Sequence, residues 1–80
     1  MITKKRGLNN NYLLAKDGKI IGETWKCVGS PGFAVNLHGV FWLRGEPNTK
    51  HGTTTTVVRR LKDVIPFVEQ TLLKVDGDPS

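Results

Sequence analysis

Eighty residues make one small domain whose core is marginal, and 38% hydrophobic with 24% charged residues is the composition of a soluble globular chain. No apolar run approaches the ~20 residues that span a bilayer. The basic opening MITKKRGLNNN has no apolar secretory segment after it, and a single cysteine, Cys27, excludes an intrachain disulfide framework and points to a reducing cytoplasm.

The net charge is +5 and the pI about 9.7, unevenly distributed. Residues 1–60 carry ten Lys/Arg against three Asp/Glu, a net of +7, and residues 61–80 carry two against four, a net of −2. A basic body suits a polyanionic partner.

Residues 1–11 hold Lys4, Lys5 and Arg6 and then three asparagines, and they read as a basic N-terminal arm. Residues 12–28 hold the strongest local signal. Asp17-Gly18 between two apolar runs predicts a hairpin with a type I′ turn, whose two central residues both need positive φ. That register sets Leu14 opposite Ile21 and Ala15 opposite Ile20. Both faces are apolar, so the inner face stays open. GSPG at 29–32 is a turn in which Pro31 ends the pairing.

Residues 33–44 predict a second hairpin, turning at His38-Gly39, with Val35 opposite Trp42. Trp42 then shares a face with Phe33, Val35, Leu37 and Val40. Each tryptophan has two readings, a core anchor or an exposed platform beside a cation, Lys26 for Trp25 and Arg44 for Trp42. The hairpin favours core for Trp42. Residues 45–52 read as a loop.

The remainder predicts a C-terminal helix beginning in the threonine run and capped by Thr55 or Thr56. Val58, Leu61, Ile65, Val68 and Leu72 recur at steps of three and four, making one apolar stripe. Lys74 falls in the last turn, with Gly77 and Pro79 stopping the helix. Pro66 removes an i→i−4 hydrogen bond and predicts a kink near residues 62–65.

The fold class is therefore α+β: a small antiparallel meander of three or four strands with one C-terminal, Pro-kinked helix packed on one face. The basic arm spans 1–11, the single domain 12–76 and the tail 77–80. The helix stripe covers one sheet face and leaves the other to solvent. Strand-strand-strand-helix over residues 12–74 is similar in outline to the three-stranded-sheet DNA-binding domains of phage-type integrases and AP2-type transcription factors. The similarity implies a sheet face laid against DNA. The fourth strand and the absence of the AP2 arginine spacing set this chain apart, so no residue role is carried over.

Cys27, His38 and His51 match no zinc or nucleophile spacing, and the carboxylates form no close pair. The sequence thus predicts a protein that is not an enzyme and uses no metal or cofactor. Three features favour polyanion binding. HGTTTTVVRR would set a helix N-terminus beside Arg59 and Arg60, an anion site. Lys4, Lys5, Arg6, Lys26, Arg44, Lys50, Arg59, Arg60 and Lys62 form a candidate electrostatic footprint. Trp25 and Trp42 interleave with it.

The function expected is a small nucleic-acid-binding accessory module, with DNA the first choice of partner. The alternative is a phage-type inhibitor or adaptor whose basic face sits on an acidic host protein or nucleoprotein complex, such as a nuclease or defence complex. A toxin-type ribonuclease would need His51 with Arg59 and Arg60 and ranks last.

Overall fold

Asp17 and Gly18 take φ of 52° and 85°, so the tight turn forms as its sequence demands. It joins β2 (Asn11–Lys16) to β3 (Lys19–Lys26). In this computed structural model, which describes residues 1–76, the pair is the centre of a five-stranded antiparallel sheet. The other members are β1 (Ile2–Arg6), β4 (Phe33–Leu37) and β7 (Thr55–Val58), in the order β1-β2-β3-β4-β7. A separate hairpin joins β5 (Phe41–Leu43) to β6 (Glu46–Asn48). A 3-10 turn (Leu61–Asp63) leads into α1 (Val64–Asp76).

The register keeps Ala15 opposite Ile20 but shifts between Leu14 and Ala15, so Leu14 faces Gly22 and Ile21 is the extra residue of a bulge. Gly22 is required there: a Cβ would run into the carbonyl oxygen of Asn36 and approach the Leu37 Cα at 2.9 Å.

Four sequence expectations are corrected. The arm is a strand. Ile2 is 6% exposed and locks β1 onto β2, with Arg6 opposite Tyr12. The turn at His38-Gly39 exists, but the strands beside it do not pair: β4 lies between β3 and β7, while Trp42 faces Pro47 and is bridged to Thr53. Residues 45–52 contribute β6 rather than only a loop. The threonine run is β7 and not a helix start, so Thr55 and Thr56 cap nothing, and the main sheet has five strands rather than three or four. Thr and Val are β-branched and fit a pleated edge better than a helical turn.

The helix therefore begins at Val64, and Pro66 sits in its first turn. There the missing N–H would have had little or no intrahelical partner, and no kink is required. Of the expected stripe, Val58 belongs to β7 and Leu61 to the 3-10 turn, but both still pack with Val68, Ile65 and Leu72. Val64 and Val68 are fully buried over Leu14 and Val35, each worth about 1.5–3 kcal/mol in apolar burial. Trp42 is core, 4% exposed, its ring stacked on Phe67 at 6.3 Å. The fold is α+β with the helix on one sheet face. Gly77 and Pro79, read as helix stops, lie outside the described residues.

Candidate nucleic-acid interface

Strand alternation assigns the two faces of the sheet. Leu14, Thr24 and Val35 share the face beneath the helix, with Thr24 directly opposite Val35, and Thr24 satisfies its buried hydroxyl by donating to the Ala34 carbonyl at 2.6 Å. Their neighbours in sequence form the other face. One row across it is Asn11, Trp25, Ala34 and Val57; the next is Lys5, Leu13, Glu23, Asn36 and Thr55. Val57 is 59% exposed and Trp25 half-buried, with the small Ala34 opposite it on β4. Trp25 is thus the platform and Trp42 the anchor.

Beside Trp25 a groove of about 640 Å³ runs between the β1–β2 and β3–β4 loops, with Asn9, Asn10, Lys26 and Val28 on its walls. A second depression of about 430 Å³, lined by Lys5, Arg6 and Leu13, shares Asn9 and Asn11 with the first. The tips of both loops carry fully exposed aliphatic side chains, Leu8 and Val28.

The nine candidate cations divide into two groups. Arg6 and Lys26 end β1 and β3 at the same end of the sheet, and Arg59 and Arg60 leave β7 there. Lys62 follows in the exposed 3-10 turn, and the Arg60 guanidinium donates to Asp63 at 2.9 Å. Lys5 belongs to the open face, and Lys4 alternates to the other side of the same edge strand. β1 and β7 are opposite edges, ~19 Å apart at four inter-strand spacings.

Arg44 and Lys50 are elsewhere. Arg44, with φ of 56°, makes the two-residue turn of the β5–β6 hairpin with Gly45. Lys50 donates its backbone N–H to Asn48 Oδ1 at 2.7 Å. That hairpin meets the far end of the helix, where Lys74 pairs with Glu46 at 3.7 Å. A helix N-terminus at Thr55 or Thr56 does not exist, so the anion site read from it is withdrawn. His51 lines a depression with Lys50 and Lys74, at the opposite end of the helix from Arg59 and Arg60, so the ribonuclease set is not brought together.

The open-face residues Asn11, Leu13 and Glu23 were not singled out by sequence reasoning. The alternation through Asp17-Gly18 could have found them, because Leu13 and Glu23 alternate with Leu14 and Thr24. The bulge and the apolar character of both faces hid the assignment. Asp17, at the other end of the sheet, is held below its ordinary carboxylate value of 3.8 by its hydrogen bond to the Met1 ammonium and by that group's charge. Among the described residues no group of three or more His, Cys, Asp or Glu could hold a metal ion, and no helix is long and apolar enough to cross a membrane. No family model, curated protein or solved structure matches the chain.

Proposed function

We propose that this chain is a small non-enzymatic nucleic-acid-binding module that works through the uncovered sheet face and the end of the sheet next to it. The observation carrying this reading is the half-buried Trp25 on that face, with Lys26 in the same groove, Lys5 and Arg6 in the adjoining depression, and Arg59 leaving β7 at the same end of the sheet. An aromatic ring fixed on a rigid strand offers a stacking surface, and flexible cations at the rim offer phosphate contacts. Lys62 and Arg60 extend the positive rim toward the helix start.

The test is binding to duplex DNA, single-stranded DNA and RNA by gel shift at two salt concentrations. Lys5→Ala with Arg59→Ala should flatten the slope of log K against log salt by ~0.9 per lost duplex contact, or ~0.7 per lost single-strand contact. Arg44→Ala with Lys50→Ala carries the same change in net charge at the far end and should leave the slope in place. Absence of salt-dependent binding to every nucleic acid at low ionic strength rejects the reading.

Leu8 and Val28 favour a second reading. Two aliphatic side chains exposed at 101% and 99% on adjacent loop tips suit a protein groove better than a phosphate backbone. An inhibitor or adaptor of that kind would insert both tips into an acidic partner. Leu8→Ser with Val28→Ser would then abolish partner capture, whereas the nucleic-acid reading expects unchanged affinity for oligonucleotides.

A further inference from the structure

Glu23 stands on the open face, in the row next to Trp25, and phosphate binding alone does not account for it. A carboxylate beside a phosphate track repels what the surrounding cations attract, so its partner on a nucleic acid must be a hydrogen-bond donor. Phosphates and sugar ring oxygens are not donors; base edges and the ribose 2′-hydroxyl are, and of these only a base edge can offer two donors side by side. The carboxylate is also held in place. Its Oε2 accepts from Asn11 Nδ2 at 2.8 Å, and Asn11 Oδ1 in turn accepts the Asn9 backbone N–H at 3.4 Å. Oε1 has no protein partner among the described residues. Glu23 and Trp25, two residues apart on one strand face, line the same groove together with Asn9, Asn10 and Lys26.

We infer that this groove takes one unpaired guanine of a single-stranded nucleic acid, its ring stacked on Trp25 and its N1–H and N2–H donated to Glu23. The inference deepens the nucleic-acid reading and rests on it. Among the four common bases only guanine presents two N–H donors side by side on its Watson–Crick edge, the complement of two carboxylate oxygens. Adenine and cytosine put a ring nitrogen acceptor beside their amino group, and thymine flanks its one N–H with two carbonyls, so each turns a lone pair toward the carboxylate. In a duplex the guanine edge is consumed by pairing and the ring faces are covered by neighbouring bases, which makes the occupant a single strand. Lys26 in this groove, and Lys5 and Arg6 in the depression adjoining it, are placed for the flanking phosphates.

The test measures fluorescence anisotropy of labelled oligothymidylate carrying one central guanine, adenine or hypoxanthine, the last lacking the N2 amino group. Guanine should bind about tenfold tighter than adenine, the scale of one bidentate base contact, with hypoxanthine between them. Glu23→Gln should bring guanine and adenine within about twofold of each other, since the amide offers a single acceptor oxygen, while the all-thymine strand binds at least as tightly as before because a charge that repels phosphate is gone. The same strands made as RNA distinguish a ribose-dependent site from one that reads the base alone. Equal affinity of the wild-type chain for guanine and adenine strands overturns the guanine inference and leaves the nucleic-acid reading intact. Salt-dependent binding to none of the strands overturns both. A guanine preference that survives Glu23→Gln and Glu23→Ala alike overturns the assignment of Glu23.

Discussion

Trp42 buries its indole N–H with no acceptor among the described residues. An unpaired buried donor costs ~1–3 kcal/mol, so part of what the ring contributes by packing on Phe67 is offset. Trp42→Ala should lower stability by ~3–5 kcal/mol. Trp42→Phe keeps a stacked ring and deletes the unpaired donor, so its cost in urea unfolding should be less than half of that; equal costs would mean that the N–H is satisfied in solution. At the β2–β3 turn, Asp17 titrates below 3.8 because the Met1 ammonium favours its charged form. The contact therefore stabilises the fold above the ordinary carboxylate value and is lost as pH falls through the lowered one. Asp17→Asn keeps an equally suitable turn pair, Asn-Gly. It should remove this part of the acid sensitivity, seen as a smaller drop in unfolding midpoint between neutral and strongly acidic pH.

At the scale of elements, Pro66 separates a helix that starts at Val64 from one capped by Thr55 or Thr56. In the first turn a proline deletes no established hydrogen bond and presets φ. Pro66→Ala should change stability by no more than ~1 kcal/mol, on the destabilising side. A gain of several kcal/mol in urea titration would show instead that the proline interrupts a longer helix. The difference between helix and strand for the threonine run was partly visible beforehand, since Thr53–Val58 are all β-branched. The apolar spacing from Val58 to Leu72 pointed the other way, because Val58 and Leu61 reach the core from a strand end and a 3-10 turn that happen to continue the helical stripe.

For the whole molecule, the edge strand β1 joins what was read as an arm to the core. Truncation of residues 1–6 removes Ile2 from beneath the helix and leaves β2 as an unpaired edge, so the shortened chain should lose at least the ~2–5 kcal/mol typical of a large buried aliphatic and show a lower midpoint by circular dichroism. An unchanged midpoint would mean that β1 is not part of the cooperative unit. What the sequence by itself determined was local: the Asp17-Gly18 hairpin, the breaks at GSPG and His38-Gly39, the amphipathic helix over Ile65, Val68 and Leu72, and the excess of cations. Each depends on residues a few positions apart, whose turn chemistry and periodicity act whatever the rest of the chain does. Pairing was decided only by the tertiary structure. β4 joined β7, eighteen residues further on, and left Trp42 to cap the core from the helix side. One bulge at Ile21 set which of two apolar strand faces was buried. Those choices compare free energies of surfaces distant in the chain, and they alone turned Trp25, Glu23 and Asn11 outward onto one open face.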